Sequence, residues 1–428
     1  MKVVVAGSGA REHAITWKVS QSELVSELIS APGNPGMAAQ SRVEAYDPLG
    51  IQAFAAWAHK EMADLVIVGS DDPIAAGLVD ACEAVGVRAF GPSAAAARIE
   101  ASKVFAKDLL SQHGIPTGPY KVFDQASAAH RYLDAPGRDY PVVVKADGLA
   151  RGKGAIVSAD STEAHAAVAA MLEERAFGGA GDRILIEECL VGPEASVFAI
   201  CDGEQARPFG AARDYKRIFD GDRGPNTGGM GAYSPTNLVP PAVLEDVRQR
   251  ILQPTIEGLA AAGHPYRGVL YAGLMFTADG PQVIEFNARL GDPEAQVLLP
   301  LLKSDFVEIA LAALEGRLAA VPIEWHDGAA CGVALASAGY PDAVRDGELV
   351  SGLDSLGDDA LLFHAGTALE ADGAIRTAGG RVFTVVGLGP TLATARDVAY
   401  RNVERVRFEG RYYRGDIAAR EITAAAAT

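Results

Sequence analysis

The stretch from Val142 to Val157, VVVKADGLARGKGAIV, has the composition of a loop that closes over nucleotide phosphates. Apolar runs of strand length flank the glycines, which predicts a β-hairpin. Glycines let backbone N–H groups approach an anion without a Cβ in the way, while Lys145 and Lys153 add positive charge. A P-loop is excluded, because only three residues separate Gly148 from Gly152 and no helix start follows. The stretch predicts an ATP-binding flap, and a solvated hairpin is the alternative.

A second group of residues suits a hard metal cation. Glu285 and Asn287 lie two apart on an apolar run, so their side chains point to one face of a strand. A carboxylate and an amide oxygen hold Mg²⁺, and water and phosphate take its remaining positions. Ile284 and Phe286 flank the pair and are expected to be buried. This favours a metal site over a solvated strand end.

The glycine-rich turn from Gly7 to Gly9 follows the first apolar run and opens a predicted helix. Such a turn offers N–H groups and the positive end of the helix to a phosphate. It is not a dinucleotide fingerprint, because Glu12 stands where the third glycine belongs. Arg11 and His13 beside the turn favour a phosphorylated small molecule. A tight turn in an α/β fold explains the glycines equally well.

Residues 213 to 233 are charged and rich in glycine, which indicates a mobile loop near function. Lys216 and its cationic neighbours precede Asn226 and Thr227, which stand directly before two glycines. This combination is typical of a turn that grips an anion such as a carboxylate. The alternative is a surface loop without function.

A further predicted strand, residues 184 to 190, ends in Glu187, Glu188, Cys189 and Leu190. Exposed backbone near Glu188 and Leu190 suits the edge of adenine, and Glu194 suits ribose hydroxyls. A plain solvated strand end fits the same residues equally well.

The elements that position these residues begin with a parallel sheet. Over the first hundred residues, short apolar strands alternate with helical stretches, which predicts an α/β sheet with ligands at the carboxyl ends of its strands. A helix around residues 102 to 113, a strand-rich section and a hairpin over 268 to 287 follow. Short strands and a closing helix over 391 to 405 make up the last section.

Composition limits the classes of partner. The chain has 428 residues and a formal net charge of −17, so it repels nucleic acid and anionic membranes as a whole. No apolar run has membrane-spanning length, and the first residues reach glycine too soon for a secretory signal. The four cysteines are scattered without a CxxC pair, which argues against a disulfide framework or a zinc site and favours a cytoplasmic protein.

Taken in order, these motifs resemble the glycinamide ribonucleotide synthetases, also called phosphoribosylamine-glycine ligases, ATP-grasp enzymes of purine biosynthesis. The resemblance runs from Met1 to about Ala419. Its most specific segments are GSGAREHA (7 to 14), APGNPG (31 to 36), VVKADGLARGKG (143 to 154), DRGPNTGGMGAYSP (222 to 235), YAGLM (271 to 275) and VIEFNARLGDPEAQ (283 to 296). FHAGT (363 to 367) and GGRV (379 to 382) resemble the family's C-terminal domain.

The resemblance implies an α/β protein in three parts. These are a Rossmann-like N-terminal domain over 1–100, an ATP-grasp core over 101–324 and a small mixed α/β C-terminal domain over 325–428. The core includes a mobile lid subdomain over about 117–190.

The resemblance also implies roles for individual residues. ATP would be bound by Lys103, Lys145, Gly148, Gly152, Lys153, Gly154, Glu187, Glu188, Leu190 and Glu194. Mg²⁺ or Mn²⁺ would be held by Glu285 and Asn287. The phosphoribosylamine would lie near Gly9, Arg11, His13, Asn34 and Asp71. The reacting centre and glycine would be surrounded by Asp214, Lys216, Asn226, Thr227 and Arg289.

Some positions depart from the family pattern. Asp71 stands where the family usually has a longer, ribose-contacting Glu, which puts that contact in doubt. Arg213 replaces a usual Gln. Ala288 and Leu290 replace a usual Cys and Phe and are expected to affect packing alone.

The implied activity is formation of a C–N bond between glycine and 5-phosphoribosylamine with consumption of ATP, through glycyl phosphate. The implied protein is a cytoplasmic monomer that binds neither nucleic acid nor membrane. Two alternatives stay open at this point: another ATP-grasp carboxylate-amine ligase, and a nucleotide-binding protein without activity.

Overall fold

The computed structural model describes residues 1–150 and 154–426. Two residues predicted for the phosphate flap, Gly152 and Lys153, lie outside the described residues.

The N-terminal section forms the parallel α/β sheet that the sequence predicts. Its five strands are ordered β3-β2-β1-β4-β5 and pair in parallel. Helices cover both faces, so the central strand β1 is almost entirely buried. The two-residue strand β3 was not predicted, because both of its residues are exposed and carry no apolar pattern. The elements are β1 (Lys2–Gly7), α1 (Ala10–Val19), β2 (Glu27–Pro32), β3 (Arg42–Val43), α2 (Ile51–Lys60), β4 (Leu65–Val68), α3 (Asp71–Ala75), α4 (Leu78–Ala84), β5 (Arg88–Phe90) and α5 (Ala94–Ala101).

The next section carries the glycine-rich loop. It forms a four-stranded sheet ordered β6-β9-β7-β8, in which β7 and β8 pair antiparallel with Lys145 opposite Ala155. The predicted hairpin around the loop is therefore confirmed. Its elements are α6 (Lys103–Gln112), β6 (Tyr120–Phe123), α7 (Ala126–Leu133), β7 (Val142–Ala146), β8 (Ala155–Ser158), α8 (Ser161–Val168) and β9 (Ile184–Glu188).

The remaining chain builds one eight-stranded sheet ordered β16-β15-β10-β11-β14-β17-β21-β18. Strands β14 and β17 join its two halves, so the last section continues the sheet of the core. The sequence did not predict this continuity. The elements before residue 325 are β10 (Glu194–Asp202), β11 (Ala206–Asp214), β12 (Arg217–Phe219), β13 (Arg223–Asn226), β14 (Gly231–Ser234), α9 (Pro241–Val247), α10 (Gln253–Ala261), β15 (Arg267–Thr277), β16 (Gly280–Asn287), α11 (Ala295–Leu298) and α12 (Phe306–Leu314). Those after it are β17 (Ala329–Ala336), β18 (Ala360–His364), β19 (Thr367–Leu369), β20 (Ile375–Thr377), β21 (Arg381–Gly389), α13 (Leu392–Val403) and α14 (Ala419–Ala426).

Aromatic contacts fix the N-terminal sheet on the core. The ring of Phe306 on α12 meets Phe90 of β5 edge-on at 5.9 Å between centroids, and it lies 6.1 Å from Phe209 of β11. All three rings are buried. Within the residues that the structure describes, none of the helices has the length and apolar character needed to cross a membrane.

A buried histidine pair joins the N-terminal section to the C-terminal section. The backbone N–H of His364 donates to Nδ1 of His13 at 2.8 Å. The Asn34 side chain donates to the carbonyl oxygens of Ser8 and His364, at 2.9 Å in each case. Burial lowers the pKa of His13 to about 3, with His364 adding to the shift, and burial lowers the pKa of His364 to about 4. Both rings are therefore neutral at pH 7.

This pair predicts loss of stability in mild acid. In the unfolded chain both histidines are protonated near pH 6.5, whereas in the folded protein they are protonated only at about pH 4 or below. Their contribution is therefore complete above pH 6.5 and is lost as the pH falls toward 4. Each histidine steepens the decline by at most about 1.4 kcal/mol per pH unit. Between pH 6.5 and 4, the free energy of unfolding measured with denaturant is expected to fall less steeply with decreasing pH in His364→Gln than in wild type. The control His59→Gln, at an exposed position, is expected to match wild type. Equal slopes in wild type and His364→Gln would contradict the assignment.

Candidate active site

Two lysines converge on one buried carboxylate of the four-stranded sheet β6-β9-β7-β8, which is called the lid sheet below. Nζ of Lys145 lies 2.8 Å from Oε2 of Glu187, and Nζ of Lys107 lies 3.2 Å from the same atom. All three side chains are buried, and Glu187 Oε1 has no hydrogen-bond partner among the described residues. Burial lowers the pKa of Lys107 to about 8 although Glu187 opposes the shift. A polyanion entering here meets lysines that are already held in place.

Lys107 was missed by the sequence analysis. The available signal was its spacing from Lys103, since residues four apart on α6 share one face of the helix. Nζ of Lys103 donates to the carbonyl of Gly148 at 3.2 Å, at the base of the flap. Burial lowers the pKa of Lys103, and the nearby Glu285 carboxylate opposes that shift. The structure thus brings Lys103 and Lys145 together with Glu285.

The base of the flap is anchored to α6 through Asp147. Its Oδ1 accepts from the Ser102 hydroxyl at 2.8 Å and from the backbone N–H of Val104 at 2.9 Å. At Gly148 a Cβ would lie 2.8 Å from the Ala180 backbone, so a side chain is excluded there. The flap therefore leaves the core from a fixed point.

Glu285 and Asn287 lie on β16 as predicted, opposite Gly273 and Tyr271 of β15. Both are half-buried, while Phe286 between them is only 3% exposed. Ile284, which lies at a register shift between β15 and β16, is half-buried rather than buried, and its carbonyl accepts from Nζ of Lys145 at 3.0 Å. The pair therefore shares the lysine-lined cleft.

The donor set at this pair is small. In residues 1–150 and 154–426, no three His, Cys, Asp or Glu side chains are grouped so that they would hold a metal ion. A carboxylate and an amide oxygen fit Mg²⁺, which keeps several waters and takes phosphate oxygens from a bound nucleotide. The residues present fit a metal that arrives with ATP better than a resident metal.

A second cluster lies at the end of β11, where Nζ of Lys216 contacts Oε2 of Glu194 at 2.9 Å. Burial raises the pKa of Asp214 to about 7, Lys216 opposes the shift, and Glu294 and Glu194 add to it. Against the effect of burial, Asp214 and Glu194 hold the pKa of Lys216 well above its ordinary value. Glu194, assigned to ribose by resemblance, is therefore paired here with Lys216, which the resemblance assigns to the reacting centre.

The loop after β13 packs directly on Lys216. The backbone N–H of Thr227 donates to the Lys216 carbonyl at 2.7 Å, and the Thr227 hydroxyl donates to the same oxygen at 2.8 Å. Asn226 lies opposite Arg217 in the β12–β13 hairpin. Asp214, Lys216 and Thr227 are thus brought together, with Asn226 at the adjoining strand end.

Arg289 connects the core to the N-terminal section. Its Nη2 lies 3.0 Å from Glu100 Oε1 and 3.8 Å from Asp71 Oδ2. Burial acts to raise the pKa of Asp71, but Arg289 and Arg11 together hold it below its usual range. Asp71 is therefore an anion beside Arg289.

Glu12 organises the N-terminal turn. It is only 2% exposed, its Oε2 accepts from the Gly9 N–H at 2.8 Å, and its Oε1 pairs with Arg11 Nε at 2.7 Å. A Cβ at Gly7 would lie 2.4 Å from Glu12 Cγ, so the glycine makes room for this carboxylate. The side chains of Arg11, His13 and Asn34 are all engaged within the protein. Their contact with a substrate stays a prediction.

The residues predicted for adenine lie where β9 ends. Glu188 is exposed and its backbone N–H donates to the Pro119 carbonyl at 3.0 Å, while Leu190 is half-buried.

Arg213, which departs from the family pattern, lies 3.8 Å from Glu421 Oε2 on α14. The arginine therefore has a carboxylate partner in the last helix.

Fold and site together define an ATP-grasp protein, in which a lysine-bearing lid sheet faces the core strand that carries Glu285 and Asn287. Three family models cover most of the chain. They are described as phosphoribosylglycinamide synthetase N domain (residues 1–100), ATP-grasp (A) domain (101–295) and C domain (330–420). The chain belongs to the phosphoribosylamine–glycine ligase family.

Individual relatives agree with the family models. The chain is 48% identical to a phosphoribosylamine–glycine ligase of Caulobacter vibrioides, over 97% of each chain. It is 49% identical to one of Allochromatium vinosum, over 99% of each chain. The crystal structure of a phosphoribosylamine–glycine ligase from Thermotoga maritima has a TM-score of 0.85 at 34% identity, covering 98% of this chain and all of that one. A biotin carboxylase–ATP complex from Campylobacter jejuni shares the fold at 17% identity, with a TM-score of 0.72 and coverage of 96% and 92%.

Proposed function

We propose that this protein joins glycine to 5-phosphoribosylamine at the expense of ATP. The products are N1-(5-phosphoribosyl)glycinamide, ADP and phosphate. The observation that carries the proposal is one cleft in which the Glu285–Asn287 pair faces Lys103 and Lys145, with Lys216 close enough to interact with Glu285. That arrangement supports a nucleotide phosphate bound beside a cationic pocket that suits a carboxylate.

In this proposal, ATP lies between the lid sheet and the core sheet. Lys103, Lys145 and the flap from Gly148 to Gly154 orient its phosphates, and the end of β9 borders the adenine. Glu285 and Asn287 hold Mg²⁺ or Mn²⁺, which neutralises phosphate charge when bound. Closure of the flap excludes water from the reactive acyl group.

The chemistry proceeds in two steps. A carboxylate oxygen of glycine attacks the γ-phosphorus of ATP and ADP leaves, which gives glycyl phosphate. The amine of phosphoribosylamine then attacks the acyl carbon, and inorganic phosphate leaves with that carboxylate oxygen. Lys216 and the loop at Thr227 hold the carboxylate, and Asp214, with a pKa of about 7, accepts the proton that the amine loses.

We further propose that the N-terminal section, 1–100, binds phosphoribosylamine and that 101–324 carries ATP and glycine. Residues 325–428 complete the site from the third side. One chain supplies every side chain assigned above, so a monomer suffices. The four cysteines are free, which suits a reducing cytoplasm.

Release of ADP tests the proposal. Purified protein with ATP, Mg²⁺ and glycine is expected to release ADP much faster when freshly made phosphoribosylamine is added. An equal rate of ADP release with amines other than phosphoribosylamine would favour a different carboxylate-amine ligase. No glycine-dependent release under any condition would leave a nucleotide-binding protein without this activity.

Asp71→Glu is expected to lower the Michaelis constant for phosphoribosylamine and to leave that for ATP nearly unchanged. The longer carboxylate restores the family's usual reach toward the ribose, and one better hydrogen bond is worth about two- to tenfold. Steady-state kinetics with each substrate varied in turn measure the effect. A change in the ATP constant instead would show that this section is not the phosphoribosylamine site.

A further inference from the structure

Arg381, the first residue of β21, extends from the C-terminal section and contacts backbone beside the candidate active site. Its Nη1 lies within hydrogen-bond distance of three carbonyl oxygens, those of Gly228 at 2.7 Å, Gly229 at 3.1 Å and Asp292 at 2.7 Å. Its Nη2 lies 3.0 Å from Oδ2 of Asp292, and the side chain is only 19% exposed. One guanidinium therefore ties together two segments that are more than sixty residues apart in the chain.

Both segments belong to the site. Gly228 and Gly229 follow Thr227 in the loop that packs on Lys216, and Asp292 follows the metal strand β16. Asp292 is itself held on its other side, since its Oδ1 accepts from Gln296 Nε2 at 2.7 Å.

Tyr340 holds the same loop from a second direction. The Gly228 N–H donates to the Tyr340 hydroxyl at 3.0 Å, so the backbone N–H and the carbonyl of Gly228 are both held by the C-terminal section. A side chain at either glycine would crowd this contact. A Cβ at Gly228 would lie 3.1 Å from Arg381 Cζ, and one at Gly229, whose φ is +114°, would lie 2.4 Å from Pro293 Cδ.

Hydrogen bonds connect the Gly228–Gly229 segment to the backbone of Lys216. The Gly229 N–H donates to the Thr227 hydroxyl at 3.0 Å, and that hydroxyl donates to the Lys216 carbonyl at 2.8 Å. The next residue, Met230, donates its N–H to the Tyr215 carbonyl at 2.7 Å. A shift of the peptide at Gly228 therefore moves the backbone on both sides of the residue that faces Glu194 and Asp214.

We propose that Arg381, with Tyr340, is a positioning residue for glycine, and that through it the C-terminal section sets the geometry of the carboxylate pocket. This inference rests on the proposed ligase function. Arg381 acts through the Gly228–Gly229 peptides and Lys216, and the ATP phosphates lie on the other side of the cleft, near Lys103 and Lys145.

Steady-state kinetics of Arg381→Ala and Tyr340→Phe test the proposal. Loss of a charged hydrogen-bond donor is expected to raise the Michaelis constant for glycine about 10- to 100-fold in Arg381→Ala. Loss of a neutral partner is expected to raise it about threefold in Tyr340→Phe. The Michaelis constant for ATP is expected to stay within about twofold in both variants, because the contacts described above for Arg381 and Tyr340 involve no residue assigned to ATP.

Arg376→Ala is the matched control. Arg376 lies in the same section, donates to the Gly347 carbonyl at 2.9 Å and pairs with Glu370, away from the site. It is expected to behave as wild type. An unchanged glycine constant in Arg381→Ala, or a rise in the ATP constant by the same factor, would overturn the inference. If Arg381→Ala does not fold, the Michaelis constants of Tyr340→Phe for glycine and ATP test the inference in its place. A wild-type protein without glycine-dependent ADP release would instead refute the ligase function.

Discussion

Replacing Glu285 with Gln is expected to abolish turnover while the fold stays intact. The substitution keeps the shape of the side chain but removes the negative charge from the Glu285–Asn287 pair. Charge stabilisation by a bound metal is worth several kcal/mol, so we expect kcat to fall about a thousandfold or more. The packing of Phe286, which faces the opposite side of β16, is unchanged.

ADP release at saturating Mg²⁺ measures this effect, and thermal unfolding checks the fold. Asp279→Asn provides the control, because Asp279 is exposed at the turn of the same β15–β16 hairpin. Near-normal turnover of Glu285→Gln with saturating Mg²⁺ would contradict the metal assignment.

The second large effect is expected for Asp214→Asn. Burial raises the pKa of this carboxyl to about 7, so its basic form grows as the pH rises through that value. Wild-type kcat/KM is therefore expected to rise with pH and to level off above an inflection near 7. An amide cannot accept the proton of the attacking amine. The variant should lose about 10²- to 10⁴-fold in rate, and the inflection with it.

The pH dependence separates this role from a structural one. A variant that is slower but retains the inflection near pH 7 would assign the titration to another group. A flat wild-type profile would remove Asp214 from the mechanism as a base. Asp279→Asn should again match wild type.

Short-range patterns were sufficient for much of the site. The hairpin around the flap and the shared face of Glu285 and Asn287 follow from the period-two geometry of strands, which holds whatever else surrounds them. Lys107 was accessible by the same kind of reasoning on a helix. The pairing of Lys107 with Glu187 was not, because the sequence gives no reason for a carboxylate at a strand end to turn toward lysines.

Long-range contacts account for what the sequence did not predict. His13 and His364 are 351 residues apart, and their contact depends on how the C-terminal section packs. The same holds for Arg381 and Gly228, 153 residues apart, and for the pairing of β14 with β17. Glu12 is an intermediate case. Its position excluded a dinucleotide fingerprint, but only the structure shows that its carboxylate organises Gly9 and Arg11.

In the proposed mechanism, glycine is activated as an acyl phosphate within this cleft. Turnover of glycine labelled with ¹⁸O in its carboxylate, in the presence of ATP and phosphoribosylamine, tests this activation. Attack of the carboxylate on the γ-phosphorus requires one labelled oxygen to leave with inorganic phosphate when the amine displaces it. We predict ¹⁸O in phosphate in step with product amide. Product amide formed together with phosphate that carries no ¹⁸O would contradict the mechanism.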